Sequence, residues 1–332
     1  MIIVLGASGF IGTYLVDELL DQGYELTITG RNMDALAYFQ EHNIPMLNVD
    51  ISKADDLNKL PTDDIEAVVL MAGLLPANVK DYNPYDYVKI NIEGTINVLE
   101  YCRKNNIKKI ISTTTYADVQ KLWEKDKAIT EAAARDFYYT GDHAMYVISK
   151  NAASDIIEHY DQEYGITGIV FRLPPVYGFG PHGAIYVDGK YNKSGIQTFI
   201  DNAIDGKPIE IWGNGTISRD VVYVKDVVNA LVLAIQSDKA QGLYNITSGQ
   251  AVSLEEQVRS VIEVFSRPDK QSEIVFRPEK ENNSASFIFD INKAKNDFAY
   301  EPKYLPFKKM LEDHKQEMES GRFNFLSKRA EK

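Results

Sequence analysis

The sequence predicts an α/β protein: a doubly wound parallel sheet followed by a smaller C-terminal α/β lobe. Three observations carry this. Short runs of β-branched and apolar residues alternate with polar or helical stretches of about one to two dozen residues, the signature of βαβ units. A glycine turn of spacing GxxGxxG (Gly6, Gly9, Gly12) joins the first such run to a helical pattern. Near the middle of the chain, a run ending in hydroxyl residues is followed by a helix with a tyrosine and a lysine four apart.

Ile2 to Leu5 reads as a strand buried on both faces. From Phe10 the residues Phe10, Ile11, Tyr14, Leu15, Leu19 and Leu20 recur at helical spacing up to Gly23. A helix therefore starts inside the glycine turn, with its amides and positive dipole end facing the turn, and the glycines let a diphosphate approach the backbone. A dinucleotide is the expected occupant, in contact with Gly6, Ser8, Gly9, Phe10, Ile11 and Gly12; a plain tight turn is the alternative.

Glu25 to Thr29 is the second strand and leads into Gly30 and Arg31. An acid at the end of this strand would accept the adenosine ribose of NAD, whereas glycine then arginine leaves room and charge for the 2′-phosphate of NADP. NAD(P) is thus expected, with NADP(H) favoured over NAD. Met46 to Val49 and Ala67 to Met71 are further strands, ending respectively at Asp50 and Ile51 and at Ala72 and Gly73. Tyr85 to Asn105 reads as one helix with Val88, Ile92, Ile96, Leu99 and Cys102 near one stripe. Ile110 and Ile111 open a fifth strand that runs into Ser112, Thr113, Thr114 and Thr115. In such a sheet, residues at the C-terminal strand ends face the ligand crevice.

Tyr146 and Lys150 share a helix face. A nearby ammonium favours phenolate, so it would lower the tyrosine pKa and suit it to acid/base work. Three other pairs have the same spacing: Tyr85 with Lys89, Tyr186 with Lys190, and Tyr304 with Lys308. Only Tyr146 follows a hydroxyl-ended strand and leads into another strand, Gly168 to Arg172; the other three are expected to be structural or solvated.

In this order, the glycine turn, hydroxyl strand and Tyr-Lys helix resemble the extended short-chain dehydrogenase/reductase family, and within it the NAD(P)-dependent sugar-nucleotide epimerases and dehydratases. The resemblance extends to MAGLLPA (71–77), NIEGTINVLE (91–100), FRLPPVYG (171–178), IEIWGNGTISRDVVYVKDV (209–227) and YNITSG (244–249). It implies a Rossmann-type fold in which Gly6, Gly9 and Gly12 cradle the pyrophosphate and Arg31 lies by the adenosine ribose. Asp50 and Ile51 would flank adenine, with Ala72, Gly73 and Asn91 toward the nicotinamide. It implies Thr115 as catalytic hydroxyl, with Thr114 as the alternative, Tyr146 as acid/base, and Lys150 as holder of the nicotinamide ribose. Tyr177 and Arg219 would meet the substrate, the arginine at its diphosphate. Three departures stand out: Pro175 in place of a substrate-binding asparagine, Gly30 in place of an acid, and Ala144 and Met145 before the tyrosine, with His143 just upstream.

The expected organisation is a dinucleotide domain of residues 1–172 plus about 221–247, a substrate lobe of about 173–220 and 248–325, and a frayed charged tail, 326–332. Phe179 to Gly195 would form a mobile cover. A net charge of -12 argues against nucleic acid or an anionic membrane as partner. Cys102, the only cysteine, permits no intrachain disulfide and suits a reducing compartment. No apolar stretch is long enough for a membrane span and no leader is recognisable, so a cytoplasmic protein is expected, with no metal. Homodimerisation follows from the resemblance. The expected function is epimerisation or dehydration of a nucleotide-sugar by transient hydride transfer; alternatives are an NADPH-dependent carbonyl reductase and a non-catalytic dinucleotide sensor.

Overall fold

The computed structural model describes residues 1–327 apart from 126, 142, 188, 189 and 283. Seven strands form one parallel sheet: β1 (Ile2–Leu5), β2 (Leu26–Thr29), β3 (Met46–Leu47), β4 (Ala67–Leu70), β5 (Lys109–Thr115), β6 (Thr167–Leu173) and β7 (Gly242–Asn245). Their spatial order is 7-6-5-4-1-2-3. The order reverses between β1 and β4, which places a crevice beyond their carboxyl ends, as doubly wound sheets require. Alternation along β1 divides its side chains between two cores. Ile2 and Val4 join the core with α1 (Phe10–Asp21), while Ile3 and Leu5 join the core with α2 (Gly94–Lys104) and α3 (Ala144–Tyr164). β7 comes from far along the chain and pairs with β6 (Leu243 opposite Val170), so the late segment returns to the large sheet. Between β6 and β7, helix α4 (Val224–Gln236) buries its apolar face in the same core as α1.

The helix expected over 85–105 is not continuous. A turn of α-helix, Pro84–Tyr87, passes into a π-helical stretch, Val88–Glu93, before α2 begins. A π-turn advances the chain by an extra residue per turn, which breaks the phase of the apolar stripe. Val88 and Ile96 are consequently exposed, and the buried face is made by Asn91, Gly94, Thr95, Val98, Leu99 and Cys102. Cys102 is fully buried, and burial pushes its thiol up to about 12, so it is an unreactive packing group.

The region expected as a loose cover, 179–195, holds an antiparallel hairpin, Ala184–Val187 with Lys190–Lys193. The chain end also differs from expectation. Leu326 is fully buried within the short helix Asn324–Ser327, and Phe323 packs on Tyr14 with ring centres 4.6 Å apart. Arg322 completes this docking by pairing with Asp17 at 2.7 Å and Glu317 at 2.7 Å. The remainder of the expected tail, 328–332, lies outside the described residues. No described helix is long and apolar enough to cross a membrane.

The crossing of β1 and α1 leaves no room for side chains. A Cβ on Gly12 would lie 2.3 Å from the Gly6 carbonyl oxygen, and one on Gly6, whose φ is +92°, would lie 2.6 Å from the Ala72 nitrogen. Gly12→Ala is expected to destabilise the protein by about 1–3 kcal/mol through forced backbone shifts and to abolish dinucleotide retention. Thermal unfolding and nucleotide content of the purified variant check both.

Candidate active site

One cleft of 1870 Å³ opens over the carboxyl ends of the strands. A pocket for one small ligand usually measures about 300–1,000 Å³, so this cleft has room for two. Gly6, Ser8, Gly9, Phe10, Ile11, Gly12, Arg31, Asp50, Ile51, Ala72, Gly73, Thr114, Thr115, Tyr146, Lys150 and Tyr177 all line it. Two expected residues do not. Asn91 is buried one layer back, where its amide accepts from the Leu74 N–H (2.8 Å) and donates to the Leu74 carbonyl (3.2 Å) and the Ser149 hydroxyl (2.9 Å). Ser149 in turn donates to the Tyr146 carbonyl at 2.8 Å. Asn91 thus braces the Leu74 wall and the turn of α3 that carries Tyr146, a role made possible by the π-turn around it. Arg219 lies behind Tyr177, with Nη2 3.5 Å from the Tyr177 hydroxyl, which also donates to Gln257 Oε1 at 3.3 Å.

The dinucleotide end rests on backbone. Gly9 caps α1 without a side-chain hydrogen bond, the two crowded glycines hold the strand end and helix start backbone to backbone, and the turn from Gly6 to Gly12 lines the cleft. These features fit a pyrophosphate. At the end of β2, a Cβ on Gly30 would meet the Ser8 hydroxyl at 2.6 Å, which gives packing as well as cofactor choice a reason for glycine there. Asp50 accepts from the Ser52 N–H (3.1 Å) and hydroxyl (2.8 Å). Burial raises its pKa, but the Ser52 hydrogen bonds and the nearby Arg31 charge outweigh it and hold the carboxyl below its ordinary range.

At the reacting end, the Thr115 hydroxyl accepts from the Ala117 N–H at 3.2 Å and stands within hydrogen-bonding influence of Tyr146. The Thr114 hydroxyl, also at the cleft, is buried without a hydrogen-bond partner among the described residues. The expected lowering of the Tyr146 pKa by Lys150 is absent. Burial, with the neighbouring Tyr116 and Tyr87, pushes the phenol well above its ordinary value, and only the Thr115 hydrogen bond pulls it back. Burial likewise depresses Lys150, to about 8. A low-dielectric site opposes both charges: the phenol stays neutral, while Lys150, lowered only to about 8, still carries its proton at neutral pH.

Other cleft residues carried little or no sequence signal. Tyr116 and Trp123 stack with centres 5.1 Å apart and form one wall with Gln120; Tyr116 directly follows the threonines, but nothing in the pattern foretold the stack. Met310, Leu311 and His314 reach the cleft from a helix at Phe307–Ser320. Tyr186, expected to be structural or solvated, lines the cleft from the hairpin, as do His143 and Pro175. The Pro175 carbonyl already accepts from the Val222 N–H at 3.2 Å. Of the other tyrosine pairs, Tyr85 is largely exposed and Tyr304 packs on Tyr223. Among the described residues, no group of three or more His, Cys, Asp or Glu is placed to hold a metal ion.

A doubly wound sheet with a glycine cradle at its switch point and a Thr-Tyr-Lys set in the same cleft defines a dinucleotide-dependent enzyme. Residues 2–247 match the model of the NAD dependent epimerase/dehydratase family, and the chain belongs to that family. It is 30% identical over 264 residues to a provisionally named UDP-glucose 4-epimerase of Methanocaldococcus jannaschii, covering 77% of this chain and 79% of that protein. UDP-glucuronic acid decarboxylase 1 of Arabidopsis thaliana is 26% identical, over 91% of this chain and 66% of its own length. The UDP-N-acetylglucosamine 4-epimerase of Methanobrevibacter ruminantium has the same fold, with a TM-score of 0.78 at 22% identity, over 96% of this chain and 98% of that one.

The Lys150 shift has a testable sign. Its folded pKa lies below the ordinary lysine value, so the unfolded chain binds more protons between about pH 8 and that value, and stability rises with pH across this window. Below about pH 8 the full cost of the buried ammonium is present. Lys150→Met should therefore stabilise the dinucleotide-free protein at pH 7 by on the order of 1–2 kcal/mol, with the gain shrinking toward pH 10, as followed by thermal unfolding.

Proposed function

We propose that this enzyme acts on a nucleotide-sugar, as an epimerase or dehydratase, by transient hydride transfer with Thr115, Tyr146 and Lys150. The observation that carries the reading is that the glycine cradle and these three side chains line one cleft large enough for two ligands. Relatives named for UDP-sugar epimerisation and decarboxylation support it over the carbonyl reductase. The presence of Tyr146 and Lys150 weighs against a non-catalytic sensor.

The substrate sits between the dinucleotide domain (1–172 and 221–247) and the lobe of 173–220 and 248–325. When bound, the nicotinamide supplies a hydride acceptor that later returns the hydride. Tyr146 takes the proton of the reacting sugar hydroxyl and gives it back when the carbonyl is reduced. Thr115 holds that oxygen in line and, by hydrogen bonding, eases ionisation of Tyr146. Lys150, when charged, favours the phenolate and holds the nicotinamide ribose. Gly6, Ser8, Gly9, Phe10, Ile11 and Gly12 bind the pyrophosphate, Asp50 and Ile51 the adenine, and Ala72 and Gly73 the nicotinamide side, with Asn91 supporting them through Leu74. Arg31 beside Gly30 favours NADP(H) over NAD. Tyr177 contacts substrate; for Arg219 as a diphosphate ligand the support is its charge and its place behind Tyr177, not a position on the cleft surface. The same reading carries a homodimer and a cytoplasmic setting.

A screen of nucleotide-sugars with wild type and Tyr146→Phe tests the proposal. Turnover should fall by about 10²–10⁴-fold in the variant, with dinucleotide still bound; unchanged turnover would falsify the role of Tyr146. Mass spectrometry of nucleotide released from the purified protein should find NADP rather than NAD. Arg31→Ala should weaken NADP binding by about tenfold, the cost of one charge-assisted contact, and leave NAD binding unchanged. Release of NAD alone contradicts the preference.

A further inference from the structure

Arg172 is among the largest fully buried side chains of the protein, and the mechanism above does not use it. Its Nε and Nη2 both donate to Oδ2 of Asp118, at 3.2 and 2.8 Å, and its Nη1 donates to Oδ1 of Asn245 at 3.1 Å. The paired side chains are 1% and 2% exposed. Such a pair is weak ground for stability, because desolvation of two charges offsets their attraction and apolar residues of similar volume serve as well. Oδ1 of Asp118, moreover, has no hydrogen-bond partner among the described residues, a further cost of about 1–3 kcal/mol. An arrangement that is costly twice over calls for another explanation.

The connections supply one. Asp118 lies three residues after Thr115, in the helical turn Tyr116–Leu122, and its carbonyl accepts from the Asp136 N–H at 2.9 Å. Arg172 stands on β6 opposite Thr114 of β5 on one side and Asn245 of β7 on the other. Asn245 Nδ2 donates to the carbonyls of Ile129 and Asp290, both at 3.0 Å. One guanidinium therefore joins the turn that leaves β5 to β6 and, through Asn245, to segments arriving from two distant parts of the chain. That turn begins at Thr115, its N-cap, and carries Tyr116 and Gln120, with Trp123 at its end.

We propose that Arg172, Asp118 and Asn245 are positioning residues that set Thr115 and the Tyr116–Trp123 wall against Tyr146. The inference rests on the catalytic reading of Thr115 and Tyr146 given above. A displaced Thr115 would lose its hydrogen-bonding influence on Tyr146, the one neighbouring contribution that lowers the phenol's pKa, against Tyr116 and Tyr87, which raise it. Lys150 and His143 line the same cleft.

The test is a charge-free pair, Arg172→Gln with Asp118→Asn, compared with Thr115→Val and with the triple variant. All are measured as full-length protein for bound dinucleotide, near-UV circular dichroism, and kcat against pH with a nucleotide-sugar that the wild type turns over. The pair variant should stay folded and keep its dinucleotide, lose about 10²-fold in kcat, the usual cost of a small misplacement, and shift the acid limb of the profile to higher pH. Thr115→Val should shift the limb the same way, and the triple variant should lose little more than either, as coupled sites do. If the pair variant does not fold, Arg172→Lys, which keeps the charge but loses the fork, is read in its place. A folded variant with wild-type kcat and pH limb, or losses that simply add to those of Thr115→Val, overturns the proposal. A silent Thr115→Val overturns the catalytic reading of Thr115 itself, and the positioning role with it.

Discussion

The close approach of two stretches of backbone governs this molecule. Gly6 and Gly12 let the exit of β1, the start of α1 and the exit of β4 meet within distances that no side chain tolerates. That contact sets α1 against the sheet, aims its N-terminus at the switch point between β1 and β4, and leaves a cradle made of peptide groups. The candidate site is arranged relative to it. β5 delivers Thr115 from the neighbouring position in the sheet, and α3 lays Tyr146 and Lys150 along the same cleft.

The chemistry follows from the burial of its tyrosine and lysine. Burial raises Tyr146 and lowers Lys150, so the phenol stays neutral beside an ammonium that is held at a cost. A phenol that resists ionisation is a poor base alone, and the hydrogen-bonding influence of Thr115 gains importance accordingly. The bracing groups serve the same end from behind the cleft surface. Asn91 and Ser149 fix the turn bearing Tyr146, while Arg172 and Asp118 fix the turn that follows Thr115. Tyr146 and Thr115 are thus each backed by a buried polar network, and such networks trade stability for defined geometry.

Much of this was legible in the sequence where the signal is local. β1, the glycine turn, the hydroxyl strand and the Tyr146 helix each declare themselves within a dozen residues, because period, β-branching and glycine spacing are properties of neighbours. The helix over 85–105 misled, since periodicity assumes a constant turn and the π-stretch Val88–Glu93 changes it. The same stretch explains why Asn91 points at Leu74 and Ser149 rather than into the cleft. Tyr186, Trp123 and His314 meet only through tertiary folding, so no spacing could announce them. Leu326 fell in the expected charged tail, 326–332, because the contacts that dock its segment, from Arg322 and Phe323 to Asp17, Tyr14 and Tyr38, reach residues near the other end of the chain.

The central claim is that hydride leaves and returns to one nucleotide-sugar within a single turnover. A nucleotide-sugar carrying deuterium at the oxidised carbon tests it most directly, with nicotinamide absorbance followed in the same reaction. The account predicts that the label stays in the sugar product and that absorbance shows no lasting change. Label appearing in released reduced dinucleotide, or reduced dinucleotide consumed in proportion to product, would contradict it.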